Sequence, residues 1–231
     1  SPKSEHYFEQ PKILIRQIIS KYFFAVLDND KYYSDQSLYM CTNYPKKDDC
    51  LEFYTGLLNS KLYGFYFRKF YSEEDDLFPK IKVNELKNLP IKNCSEEEKE
   101  DFKVKVVSLT IQIEGFDLAN TKFRNYLLSQ FSIQKLSKKL QNWHELEFGE
   151  FVKELNKAIK ANNKLRIKEG LEEVPSLTKK DEFEWLDLFE ENKQKAQALQ
   201  TQINQTDKEI DQMVYELYGL SEDEIAIVEN S

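Results

Sequence analysis

Hydrophobic residues in the first part of the chain follow the short patterns of strands and one helix. From residue 12 to residue 28, Ile, Leu, Phe and Val cluster without a helical period, which predicts two strands. The sequence SLYMCTN predicts a third strand at 37–43, and apolar residues at helical spacing predict one helix over about 48–70. Alternation in FPKIKV then predicts a short strand with Lys80 and Lys82 on one face and its apolar residues on the other.

The rest of the chain has the pattern of long helices. Apolar residues recur at alternating steps of four and three over about 96–131 and again over about 179–218. Two such stripes in one chain predict an antiparallel coiled-coil pair, and the residues between them, 132–178, are expected to form a helical excursion. The predicted fold class is therefore α+β, with a small mixed α/β unit at 1–92 followed by a helical region at 93–231.

Charge and aromatic residues are divided unevenly at the same point. Residues 1–92 contain 14 Lys and Arg against 13 Asp and Glu, and they hold 18 of the 31 aromatic residues. The remaining residues contain 19 basic against 28 acidic residues. Such a change of composition favours two units with different roles.

The cysteine content and the apolar runs limit the cellular setting. Cys41, Cys50 and Cys94 are odd in number and lie far apart, which argues against a disulfide framework or structural zinc. The chain has no apolar run of transmembrane length and no signal-peptide pattern, so we expect a cytoplasmic protein without a membrane partner. The Ser-Pro start favours a fragment of a longer polypeptide.

The sequence lacks the patterns typical of a catalytic centre. It contains no Gly-rich phosphate loop and no metalloprotease or serine-hydrolase motif. Its two histidines lie far apart, and we interpret His144, beside Trp143, as a packing or surface residue. The acidic sequence at 73–76 is interpreted as a solvated loop rather than a cation site. We therefore predict no catalytic residue and no metal site in this chain.

Basic residues of the first unit are candidates for a surface that binds an anionic partner. Because the acidic residues of this unit are bunched, its basic residues can segregate to one face. The candidates are Arg16 in a strand, Lys31 beside Tyr33, Lys46 and Lys47 after a proline, Arg68 and Lys69 at the end of the predicted helix, and Lys80 and Lys82. An ordinary solvated face is the alternative interpretation.

Several longer segments resemble one known family. KILIRQIISKYFFAVLDNDKYYSDQSLYM, LLNSKLYGFYFRKF and FPKIKVNELKNLPI are similar to the TaqI-like specificity domain at the C-terminal end of N6-adenine DNA methyltransferases of the type IIG restriction-modification class. LSKKLQNWHELEFGEFVKELNKAIK and TDKEIDQMVYELYGLSEDEIAIVE resemble the tail of the same enzymes. The segments keep the order of the family and cover nearly the whole chain.

The resemblance implies that the parent enzyme uses S-adenosylmethionine to methylate a flipped adenine and, in restriction members, a divalent cation to cut DNA. This chain contains no Asn-Pro-Pro-aromatic motif, no cofactor-binding glycine motif and no nuclease core. It is thus expected to be the target recognition region, without a cofactor of its own. Its expected partners are double-stranded DNA and the upstream methyltransferase domain, against which the coiled coil would position the recognition unit.

The resemblance also implies a set of residues on the DNA face. These are Arg16, Tyr33, Ser34, Lys80 and Lys82. Two local alternatives stay open, because Arg16 can instead pair with Asp28 or Asp35, and Tyr33 can simply pack. Two other classes of function also stay open: a structural coiled-coil adaptor or separate specificity subunit that docks other protein domains, and a free-standing nuclease.

Overall fold

The computed structural model describes residues 5–43, 49–71 and 79–231. The chain forms two compact units: unit 1 comprises Ser1–Leu109 and Gln205–Ser231, and unit 2 comprises Thr110–Asn204. The described residues form one three-stranded sheet and several helices, so the predicted α+β class is confirmed. The unit boundaries do not coincide with the predicted domain boundary at residue 92, because both long helices contribute residues to each unit.

Unit 1 holds the sheet and most of the short helices. Its elements are α1 (His6–Glu9), β1 (Lys12–Arg16), β2 (Ala25–Asp28), β3 (Leu38–Thr42), α2 (Leu51–Asn59), α3 (Lys61–Tyr71), α4 (Val83–Lys87) and α9 (Glu222–Glu229). Unit 2 contains α6 (Lys138–Gln141), a short 3-10 helix (Trp143–Glu145) and α7 (Phe148–Lys168). The long helices α5 (Glu96–Gln130) and α8 (Lys179–Tyr218) contribute to both units.

The sheet is antiparallel with β1 in the centre, in the order β2-β1-β3. Ile13 lies opposite Leu27 of β2 and Cys41 of β3. Because side chains alternate along a strand, Ile13 and Ile15 share one face, where both are buried in the core with residues of α2. Arg16 therefore points to the other face of the sheet, and it is exposed.

The single helix predicted over about 48–70 is wrong, since the chain breaks at Ser60 into α2 and α3. Ser60 has an extended backbone conformation, and its hydroxyl oxygen accepts a hydrogen bond from the Tyr63 backbone N–H at 3.3 Å. The preceding Asn59 uses its side-chain amide to bond both the N–H and the carbonyl of Ala25, at 2.9 and 2.8 Å. Side chains that bond the backbone in this way compete with helix continuation, which explains the break.

The strand predicted in FPKIKV is also wrong for the part that the structure describes. Lys80 makes one isolated antiparallel bridge with Ile18, and the chain then enters α4 at Val83. Ile81 is fully buried as predicted from alternation, but Val83 is exposed rather than on the core side. Glu85 accepts a hydrogen bond from the Lys82 backbone N–H at 2.8 Å, so a capping interaction starts a helix where the alternating pattern suggested a strand.

In unit 1, α5 and α8 run antiparallel and pack against α2. Phe102 and Val106 of α5 lie in the same buried cluster as Ile210 of α8, and Lys105 pairs with Glu209 at 2.6 Å. A Cβ added at Gly56 of α2 would lie 3.2 Å from Val106 and 3.6 Å from Ile210. The helical tail therefore completes the core beneath the sheet.

Unit 2 has its own core, centred on Trp143 and the inner face of α7. Phe151 of α7 stacks on Phe189 of α8 with ring centroids 4.6 Å apart. Here too α5 and α8 run antiparallel, because Tyr126 lies against Trp185 and an added Cβ at Gly115 would meet Leu199 at 3.8 Å.

Candidate DNA-binding interface

A buried ion pair fixes one end of the outer sheet face. Lys12 and Asp28 are directly opposite each other in β1 and β2, and both are almost completely buried. The Lys12 ammonium bonds the Asp28 carboxylate and also donates to the carbonyl of Phe8 at 2.8 Å. A buried charge needs such partners to offset the loss of hydration.

Asp28 also organises the turn that carries three of the predicted DNA-face residues. Its carboxylate accepts the backbone N–H of Asp30 at 2.9 Å and that of Tyr32 at 3.0 Å. Between them, Lys31 has a left-handed backbone with φ of 62°, which is uncommon for a residue with a side chain. The side chain of Lys31 is exposed and forms no ion pair within the described part of the chain.

Tyr33 and Ser34 follow this turn. The Tyr33 ring stacks on Phe8 with centroids 4.6 Å apart, yet 66% of the residue stays exposed. Tyr33 thus packs on one ring face and remains accessible elsewhere, so the two interpretations of this residue are compatible. Ser34 is half-buried.

At the opposite end of β1, Arg16 is an exposed cation. Its predicted alternative partners are engaged elsewhere, since Asp28 bonds Lys12 and Asp35 accepts the hydroxyl and the backbone N–H of Ser37 at 2.6 and 2.8 Å. The Ser37 hydroxyl lowers the pKa of Asp35. Arg16 forms no ion pair with any residue that the structure describes, so the alternative of a strand Arg held by Asp28 or Asp35 is not found.

Lys80 lies near Arg16. It is exposed and stands opposite Ile18, two residues beyond Arg16 along the chain. Lys82 is exposed as well, but its ammonium pairs with Glu85 at 3.3 Å. Arg16 and Lys80 are consequently two cations near this end of the sheet that form no ion pair with the described residues.

The remaining predicted residues are Arg68, Lys69, Lys46 and Lys47. Arg68 donates hydrogen bonds to the carbonyl of Lys21 and, at 3.0 Å, to the hydroxyl of Ser231, so it ties α3 to its neighbours. Lys69 is exposed at the end of α3. Lys46 and Lys47 fall outside the described residues, as does the acidic sequence at 73–76. The side chain of Arg68 is thus engaged within the protein, whereas that of Lys69 is exposed.

Apolar residues on the outer face of the sheet were not predicted as part of a site. Phe24 is 63% exposed and Val26 is 46% exposed, and the register places Val26 beside Leu14 on the same face as Arg16. The alternation of side chains along β1 and β2 could have predicted them, because it turns every second residue of each strand away from the core.

Within the described residues, no group of three or more acidic, His or Cys side chains could hold a metal ion. Burial lowers the pKa of His144, whose ring lies edge-on to Phe116 at 5.2 Å. Burial raises the pKa of the half-buried thiols of Cys41 and Cys50, which disfavours the reactive thiolate. No helix in the described part of the chain is long and apolar enough to cross a membrane.

Two family models match the chain, one after the other along the sequence. Residues 1–91 match the TaqI-like C-terminal specificity domain. This part is thus a DNA-binding specificity domain of the kind found in restriction-modification enzymes, whose task is recognition rather than catalysis. Residues 95–214 match the family described as Domain of unknown function (DUF8810), which covers half of the chain, and the chain belongs to this family. No curated protein and no solved structure gives a significant match.

Proposed function

We propose that this chain is the sequence-specific, double-stranded DNA recognition region of a type IIG restriction enzyme or an adenine-specific DNA methyltransferase. The match of residues 1–91 to the specificity domain carries the proposal, and the resemblance of the helical tail to the same enzymes supports it. The parent protein would contain an upstream methyltransferase domain that binds S-adenosylmethionine, and a restriction member would also use a divalent cation. None of these activities would reside in the residues of this chain.

In this proposal the unpaired residues on the outer sheet face meet the duplex. Arg16 is suited to base reading, because its planar guanidinium can bond guanine through two hydrogen bonds at once. Lys80 and Lys31 are suited to phosphate contacts, which set register without reading sequence. Tyr33 and Ser34 would contribute an aromatic edge and a hydroxyl beside Lys31. The exposure of Arg16 and Lys80, with no carboxylate partner among the described residues, supports these roles.

The helices α5 and α8 would act as a coiled-coil spacer between the recognition unit and the methyltransferase domain. Their antiparallel course and the packing of Phe102 and Ile210 beneath α2 support this role. A stiff helical pair fixes distance and orientation better than a flexible linker does.

Duplex selection followed by salt titration tests the proposal. The chain is first used to select binding sequences from a random duplex pool, and binding of the selected duplex is then measured by fluorescence anisotropy at several salt concentrations. Lys80→Gln should weaken binding to all sequences and reduce the slope of log K against log salt by about 0.9. Arg16→Lys, which keeps the charge but loses the two-bond geometry, should instead relax sequence preference.

Lys103→Gln is the matched control, since Lys103 is exposed and pairs with Glu100 at 3.3 Å. It should leave both the slope and the preference unchanged. Failure to select any sequence, or equal effects of Lys80→Gln and Lys103→Gln, would contradict the assignment of the DNA face.

The alternative of an adaptor that docks other protein domains has one observation in its favour. Ile111 and Leu118 of α5 are seven residues apart, hence on one face of the helix, and they are 62% and 71% exposed. If Ile111→Glu with Leu118→Glu abolishes binding of a separately expressed methyltransferase domain while Arg16 and Lys80 variants leave DNA binding unchanged, the adaptor function is the better explanation.

A further inference from the structure

One face of α7 in unit 2 carries a continuous row of lysines. The row consists of Lys153, Lys157, Lys160, Lys164 and Lys168. Successive members are three or four residues apart, which places them on neighbouring turns of one helical face. All five are exposed. At 1.5 Å per residue, the row extends over about 22 Å.

The other side of α7 fixes the direction in which this row points. Phe151, Leu155 and Ile159 are completely buried in the core of unit 2. Rotation of α7 about its axis would expose these residues to water, at a cost of about 1.5–3 kcal/mol for each side chain. The lysine row is therefore held toward solvent by the packing of the helix.

Two asparagines also hold the following chain segment along α7. Asn156 accepts the backbone N–H of Leu177 at 2.8 Å. Asn163 bonds both the N–H and the carbonyl of Val174, at 2.9 and 2.8 Å. The packing of α7 and its hydrogen bonds to residues 174–177 therefore set the position of the row.

The row is poorly neutralised by neighbouring carboxylates. Among the described residues, the only ion pair to any of the five is that of Lys157 with Glu154, at a distance of 3.9 Å. Glu150 pairs with Lys139, although the charge of Lys153 also contributes to the lowered pKa of Glu150. Glu173 lines one groove together with Lys160 and Lys164, without an ion pair to either. Residues 110–204 contain 15 basic and 15 acidic residues, whereas α7 alone has six basic and two acidic residues. Positive charge is consequently concentrated on this helix.

We propose that the lysine row of α7 binds the phosphate backbone of duplex DNA without reading its sequence. Duplex DNA carries about one negative charge per 1.7 Å of its axis, so a row of this length meets several phosphates. Lysine provides a flexible point charge, which suits phosphate contacts better than base contacts. The identity of the partner rests on the proposed function, in which the specificity domain of the same chain binds a duplex.

A matched pair of triple variants tests this proposal. The first changes Lys157, Lys160 and Lys164 to Gln, and the second changes Lys103, Lys122 and Lys195, which are exposed on α5 and α8, to Gln. Both variants lose three positive charges, and Gln resembles Lys in helix propensity, so net charge and folding are matched. Circular dichroism verifies that both remain helical. Binding of a labelled duplex of arbitrary sequence is then followed by anisotropy at several salt concentrations.

We expect the α7 variant to lower the slope of log K against log salt by about 2.7, since each lost phosphate contact removes about 0.9. The control variant should keep the slope of the unmodified chain. In addition, bound duplex should protect Lys157, Lys160 and Lys164 from acetylation in mass spectrometry, while the three control lysines stay reactive.

Equal slopes for the two triple variants, or equal acetylation with and without duplex, would overturn the role of α7. This outcome is distinct from failure of the proposed function, in which Arg16→Gln and Lys80→Gln leave DNA binding unchanged. Absence of duplex binding by the unmodified chain at low salt would overturn both proposals.

Discussion

The buried pair of Lys12 and Asp28 gives a sharp test of how the outer sheet face is held. The perturbation is Lys12→Met, which keeps most of the length of the side chain but removes the ammonium. Asp28 then stays buried without its cation, and the carbonyl of Phe8 loses its donor. Loss of one partner from a buried ion pair typically costs about 3–5 kcal/mol.

The hydrogen bonds of Asp28 place the expected cost at the lower end of this range. Its carboxylate keeps the two backbone N–H donors of Asp30 and Tyr32, at 2.9 and 3.0 Å, so it is not left without partners. We therefore expect about 3 kcal/mol for Lys12→Met. In the double variant with Asp28→Asn, the cost should be well below the sum of the two single changes, because neither charge is then left alone.

Hydrogen exchange read by mass spectrometry measures this cost within unit 1. A loss of about 3 kcal/mol should speed exchange of the β1 and β2 amides by roughly 100-fold, since each 1.4 kcal/mol is a factor of ten. The matched control is Lys82→Met, because the Lys82 pair with Glu85 is exposed and should contribute less than about 1 kcal/mol. A change below about threefold for Lys12→Met would refute the view that this pair holds β1 and β2 together.

Two further predictions concern a close backbone approach and the response to pH. Gly64→Ala should lower the free energy of unfolding in urea, because a Cβ at this position would lie 2.8 Å from the carbonyl oxygen of Lys21. Gly149→Ala is the control: an added Cβ there meets nothing within 4 Å, so this change should be neutral or slightly stabilising. Burial raises the pKa of Asp211, so the folded protein holds its proton more tightly than the unfolded chain does. The free energy of unfolding should therefore gain from Asp211 as pH falls from neutral toward the ordinary carboxyl pKa, and Asp211→Asn should remove that gain. Asp181 is the control, because the backbone N–H of Thr178 lowers the pKa of this half-buried carboxyl, so its contribution to stability is lost as pH falls. Asp181→Asn should therefore respond to pH in the opposite sense to Asp211→Asn in the same urea titrations. Responses of the same sign would contradict both assignments.

The sequence was sufficient to predict the strands around Ile13 and the long helices, because their signals are local. Alternation and helical spacing depend only on which residues face the core. The break at Ser60 was not predictable in the same way, since it depends on Asn59 reaching β2, 34 residues away. Likewise Arg68 and Lys69 are equivalent in sequence, but only Arg68 contacts Lys21 and Ser231. Long-range partners decide which cations are free for DNA, and single-sequence patterns do not contain them.

The ends of the two family matches do not mark a structural boundary in unit 1. The specificity domain ends at residue 91, yet α2 within it packs directly on Val106 and Ile210. The backbone N–H of Lys61 donates to Asp211 at 2.8 Å, and the Lys61 ammonium pairs with Glu229 at 2.7 Å.

Since α2 packs against both the sheet and the tail, α5 and α8 help to hold the element on which the strand of Arg16 lies. A separate specificity domain cut after residue 91 would expose the surface of α2 that contacts Phe102. The parts of α5 and α8 that belong to unit 1 accordingly share one core with the sheet, and their contribution to DNA binding should begin with holding the sheet in place.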